Sequence, residues 1–135
     1  MSVSQDFTQR SGNILNTTAA TANQVITTTA TVEDQGYAVI ARIYGVSTDN
    51  FDEGFFYELK GFFLNDGGTL AIVGAVAATV NIESGPAAAA TPTMVATAGN
   101  IEVRITPANT TPITWRADLE IQAVQQYIPN GGYAK

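Results

Sequence analysis

The stretch IEVRITPANTTPITWRADLEIQ, residues 101–122, decides the fold. Ile101, Val103 and Ile105 alternate with Glu102, Arg104 and Thr106. After the break from Pro107 to Pro112 the alternation resumes. Ile113, Trp115, Ala117, Leu119 and Ile121 then fall on one side, with Thr114, Arg116, Asp118, Glu120 and Gln122 on the other. Successive side chains of a strand point to opposite faces, so this pattern marks antiparallel strands with one face buried. Charge predicts their register. Setting Glu102 opposite Arg116 places Ile105 beside Ile113 and Val103 beside Trp115. The other register, with Arg104 opposite Arg116 and Glu102 opposite Asp118, brings like charges together twice, which is unfavourable.

Working outward, the same texture runs back to Val25. Residues 25–32 (VITTTATV) are dense in β-branched side chains, which suit a pleated surface. Further strands are expected over 37–46, 55–64, 70–73, 75–83 and 93–98, with a bend or bulge at Gly74. Residues 84–92 read as a surface loop. Asn65-Asp66-Gly67-Gly68 is the clearest turn. Taking Asp66-Gly67 as a two-residue primed hairpin loop sets Phe63 opposite Leu70 and Gly61 opposite Ile72. No helix-period stretch of ten residues competes anywhere. Seven or eight short strands point to an all-β antiparallel β-sandwich, jelly-roll-like, with Ile43, Phe63, Val103, Trp115 and Leu119 in its core.

Residues 1–24 are polar, with Phe7, Ile14 and Leu15 standing out, and read as an extended N-terminal arm or a frayed terminus. The sandwich domain is expected over 25–125. A C-terminal tail over 126–135 carries Tyr127, Ile128 and Tyr133. These six apolar residues of arm and tail are the candidate assembly contacts.

Composition excludes much chemistry. The 135 residues make about one domain, with a formal net charge of −6 from six cations and twelve carboxylates. Arg10, Arg42, Lys60, Arg104, Arg116 and Lys135 form no basic run, so neither a phosphate backbone nor an acidic membrane is an expected partner. Cys and His are both absent, which removes a thiol nucleophile, an imidazole base, a disulfide framework and a Cys/His zinc site. The first residues lack the basic and apolar regions of a signal peptide, and a soluble, unprocessed, catalytically silent chain with no cofactor is expected.

Three motifs bear on function. Asp49-Asn50-Phe51-Asp52-Glu53-Gly54 offers carboxylates that could hold calcium, without the spacing of an EF-hand; a solvated acidic loop is the other reading. Phe55-Phe56-Tyr57-Glu58 with Phe62-Phe63 could be an aromatic platform for sugar, or strand aromatics serving core and interface. A glycosidase would need two carboxylates a few ångströms apart, and Glu33, Glu58 and Glu83 qualify by residue type alone. Nothing marks Lys60 as a substitute base for the many Ser and Thr. Charged residues are only 13%, about half the usual share, and outward strand positions carry Thr, Asn, Gln and Ala. Such faces suit static packing, because desolvating a Thr costs far less than desolvating a Lys.

Residues 61–74 (GFFLNDGGTLAIVG), 99–106 (GNIEVRIT) and 114–120 (TWRADLE) together resemble small β-sandwich structural proteins of tailed bacteriophages and prophages. The similarity spans roughly residues 37–121 and lies in the pattern of strands and turns. It implies a virion structural protein. The arm, the apolar-aromatic tail and the lack of Cys and His lean towards a capsid decoration (cement) protein on the capsid surface. Such a protein would bind across major capsid protein subunits and itself form a homo-oligomer, a trimer by first choice. The alternative is a tail, neck or fibre structural module, or a domain binding host glycan through Phe55, Phe56, Tyr57 and the acidic loop.

Overall fold

In a computed structural model, residues 4–9, 14–49, 51–83 and 90–125 are described, the first of these stretches by its backbone alone. Three strands of thirteen residues form the frame: β4 (Gln35–Ser47), β5 (Gly54–Asp66) and β10 (Ile113–Gln125). They lie side by side, antiparallel, with β4 in the middle. β1 (Ser4–Gln9) and β2 (Ile14–Thr17) share the outer edge of β10, one after the other. β6 (Thr69–Ile72) and β7 (Ala77–Glu83) likewise share the outer edge of β5. The second sheet has the order β3-β9-β8, built from β3 (Gln24–Ala30), β9 (Asn100–Thr106) and β8 (Thr91–Thr97). The result is an all-β sandwich of a seven-stranded and a three-stranded sheet.

Period-two alternation builds the core. β10 buries Ile113, Trp115, Ala117, Leu119, Ile121 and Ala123, and β9 buries Ile101, Val103 and Ile105. All five residues expected at the centre, Ile43, Phe63, Val103, Trp115 and Leu119, are fully buried. β3 departs from strict alternation, since Ile26 and Thr27 are both buried where a bulge falls between Val25 and Thr27. An extra residue in one strand of a pair breaks the alternation in this way.

Two expected pairings are corrected. Glu102 does not stand beside Arg116, because β9 and β10 belong to different sheets. The break from Pro107 to Pro112 carries the chain across the sandwich instead of round a hairpin. Alternation therefore reports two strands facing one core, not two neighbours. The charges find partners on their own strands: Arg104 Nη2 donates to Glu102 Oε1 at 2.6 Å, and Arg116 Nη2 to Asp118 Oδ2 at 3.0 Å.

The β5–β6 hairpin is slipped by two residues from the expected register. Asp66 pairs with Thr69, Asn65 with Leu70 and Phe63 with Ile72, so Gly67-Gly68 is the loop. Their φ angles are +60° and +98°. A primed turn needs positive φ at both central positions, and two glycines provide it without a β-carbon clash. A slip of two preserves which residues face inward, so the apolar pattern cannot distinguish the two registers.

The stretch read as an arm contributes β1 and β2. Thr17 is buried, and its Oγ1 accepts a hydrogen bond of 2.9 Å from the indole Nε1 of Trp115.

Candidate functional site

The outward face of the large sheet is organised in rows that run across the strands. One row joins Ile14, Arg116, Tyr44, Phe56 and Ile82 across β2, β10, β4, β5 and β7. The Tyr44 and Phe56 rings stack with centroids 5.2 Å apart, and the Arg116 guanidinium lies 5.1 Å from the Tyr44 centroid. Both faces of the Tyr44 ring are therefore taken. Beside this row runs a charged one, Asp118, Arg42 and Glu58. Arg42 Nε donates to Glu58 Oε2 at 3.0 Å, and Thr79 Oγ1 donates to Glu58 Oε1 at 2.8 Å. The Thr79 hydroxyl, helped by the positive charges of Arg42 and Lys60, holds the Glu58 carboxyl below its ordinary range. Both carboxylate oxygens thus already have partners.

The far end of this face turns apolar again. Val124, Gly36, Leu64 and Ala71 lie in register across β10, β4, β5 and β6. Phe62 and Val73 adjoin them, the Val73 amide donating to the Phe62 carbonyl at 2.8 Å. Gly36 is buried beneath them: a β-carbon on it would sit 3.0 Å from Phe62 Cζ and 3.2 Å from Leu64 Cδ2, so these two side chains close over the glycine. An open groove of about 520 Å³ runs here, lined by Phe62, Leu64, Val124, Asp34 and Asp66 among others.

The edge beside β5 completes this surface. Residues 70–82 (LAIVGAVAATVNI) contain no charge and no proline, and none of them is buried. Ile82 is 59% exposed, Val73 47% and Ile72 36%. Natural edge strands are usually guarded by Lys, Pro or a bulge, and this one carries only a bulge near Thr79.

The residues singled out by sequence are dispersed. Alternation splits the aromatic run: Phe55, Tyr57 and Phe63 point into the core, where Phe55 and Tyr57 pack on Trp115, while Phe56 and Phe62 face outward. The three glutamates do not assemble. Glu58 is on the outer face, Glu83 accepts the hydroxyl hydrogen bond of inward-facing Tyr57, and Glu33 precedes β4 beside the Gly67-Gly68 turn. Burial first, and then the Glu83 carboxylate, push the Tyr57 hydroxyl pKa up. In the acidic loop, the Ser47 hydroxyl donates to Asp52 Oδ1 and accepts from the Asp52 and Glu53 amides. Among the described residues no three acidic groups stand close enough to hold a metal ion.

Of the candidate assembly contacts, Ile14 is 56% exposed on the outer face. Leu15 packs against the core opposite Trp115. The Phe7 backbone pairs with Ile121. The Phe7 side chain and Tyr127, Ile128 and Tyr133 lie outside the described residues. Sequence reasoning missed the uncharged edge as one surface, although its signal was present in residues 70–82.

No protein-family model and no curated protein matches this sequence. Among solved structures the chain is similar to a tailspike protein, gp49, of Acinetobacter baumannii bacteriophage Fri1, a capsular polysaccharide depolymerase. The identity is 14% and the TM-score 0.44, covering 98% of this chain and 19% of that one. A second similar structure is the tailspike protein of Acinetobacter baumannii phage AM24, at 4% identity and a TM-score of 0.39, covering 97% of this chain and 27% of that one. The chain thus spans well under a third of the length of either tailspike.

Proposed function

We propose that this chain is a structural module of a tailed-phage virion, in the tail, neck or fibre, working without catalysis by lying against copies of itself. The carrying observation is the edge over residues 70–82: thirteen residues without charge or proline, none buried. An exposed uncharged edge is a ready surface for association, and burying it costs no desolvation of ions. The phage context is what the resemblance of residues 61–74, 99–106 and 114–120 implies.

Two observations support preferring the tail-associated reading. The cement reading calls for an arm that reaches across capsid subunits, yet residues 4–9 and 14–17 pair along β10, and Thr17 is bonded to buried Trp115. Glycan binding would run through Phe55, Phe56, Tyr57 and the acidic loop, yet Phe55 and Tyr57 are core residues. The outward aromatic Tyr44 has no ring face left for a sugar.

Sedimentation of the full chain tests the assembly. The wild type is expected to be oligomeric, and Val73→Lys with Ile82→Lys to shift it towards monomer at unchanged thermal stability. A wild type that stays monomeric at all concentrations would sink the proposal. Immunogold labelling of the virion then places it on the head or on the tail, and head labelling would restore the cement role.

A further inference from the structure

We infer that the outward face of β5 is a second self-association surface, on which two copies of this chain pack their large sheets face to face about a two-fold axis. The inference shares with the assembly proposal the premise that copies meet, but it uses the face of the sheet and not its 70–82 edge. Lys60, Phe62, Leu64 and Asp66 follow one another along the outer side of β5, all exposed, while Phe63 and Asn65 between them are buried. Their order is cation, apolar, apolar, carboxylate. Phe62 is 39% exposed and Leu64 46%, and the open groove they line with Val124, Asp34 and Asp66 lies within the same footprint. Exposed apolar patches rimmed by polar groups mark contact sites.

Charge selects the occupant. Arg42, Arg104 and Arg116 each have a carboxylate partner. Among the described residues Lys60 and Asp66 have none, and six residues of strand, about 20 Å, keep them from meeting within one molecule. Turned end for end over a second copy, β5 sets Lys60 on the partner's Asp66 and Phe62 on the partner's Leu64. The two-fold axis then repeats both contacts, as an isologous interface requires. Asp34, which lines the groove together with Asp66, adds a second carboxylate at the end where the partner's Lys60 arrives. Stacked in the same direction, the two strands would instead set lysine on lysine and aspartate on aspartate, which is unfavourable. The strands from β6 to β10 are about 19 Å across, so the footprint is about 400 Å² per copy. Contacts of that size are weak and reversible, so the association must be followed over a wide concentration range.

Sedimentation equilibrium of the full chain tests this, from micromolar to millimolar concentration. All samples carry Ile82→Lys, which disables the edge and leaves the face of β5 intact. This parent is expected to dimerise. Adding Lys60→Glu or Asp66→Lys is expected to weaken the dimer by about tenfold or more, since each sets like charges together twice. Mixed one to one, the two variants are expected to pair again as tightly as the parent, because every introduced charge then faces its opposite on the other copy. Such recovery also shows that both variants are folded. A mixture no tighter than either variant alone, or variants that dimerise as well as the parent, overturns the inference. So does a parent that stays monomeric throughout. In each case a wild type that still oligomerises leaves the edge proposal standing, whereas a monomeric wild type overturns both.

Discussion

The indole Nε1 of Trp115 donates to Thr17 Oγ1 at 2.9 Å, joining residues 98 apart in the sequence, both buried. This bond ties the N-terminal segment to the centre of the core. A buried indole N–H left without an acceptor costs about 1–3 kcal/mol. Thr17→Val keeps the shape and removes the acceptor, so it should lower stability by about that amount, read as a shift in urea midpoint. Thr17→Ser retains the oxygen and should recover most of the loss. Equal stability of Val and Ser variants would show that the bond contributes nothing.

Gly45 lies under the same indole. A β-carbon there would sit 2.5 Å from both Cε3 and Cζ3 of Trp115, and the ring is fully buried with nowhere to retreat. Gly45→Ala is expected to cost about 1–3 kcal/mol through overpacking, measured by thermal or urea unfolding.

The hairpin loop separates two kinds of positive φ. Gly67 at +60° lies in the left-handed region that Asn tolerates, whereas Gly68 at +98° lies beyond it. Gly67→Asn should be close to neutral, and Gly68→Ala should destabilise by about 1–2 kcal/mol. Comparable losses from both substitutions would contradict a primed Gly-Gly turn.

Alkaline stability should report on Tyr57. Its folded pKa is raised above the ordinary value of 10.0 by burial and by the bond to Glu83. The neutral phenol is therefore favoured in the folded state. Its contribution is complete below about pH 10 and is lost as pH rises further. Urea midpoints of the wild type should fall more steeply above pH 10 than those of Tyr57→Phe, which has no phenol to ionise. Parallel curves would mean that Tyr57 ionises as freely folded as unfolded.

Much of this architecture was legible without coordinates. Whether Trp115 or Arg116 faces the core is a local matter, because the pleat turns every second side chain the same way, and alternation in 113–122 states it directly. The same rule placed Ile43, Phe63, Val103 and Leu119 at the centre. The candidate site was less legible. Phe55-Phe56-Tyr57 reads as one aromatic cluster along the chain, yet the pleat sends Phe55 and Tyr57 to one side and Phe56 to the other. The row from Ile14 to Ile82 joins five strands spread over the sequence, and no window along the chain displays it.

Sequence by itself therefore determined that this is an all-strand protein and, for β9 and β10, which side chains are buried, since both follow from the period of two within each strand. Tertiary structure alone decided which strands are neighbours. It put β9 and β10 in opposite sheets and laid β2 along β10. It also joined residues 70–82, from β6 into β7, into one uncharged edge. The physical reason is that an apolar face is equally well buried by any partner face across the core. Pairing is settled by where six residues such as 107–112 can carry the chain, and by which remote backbone then finds its hydrogen bonds.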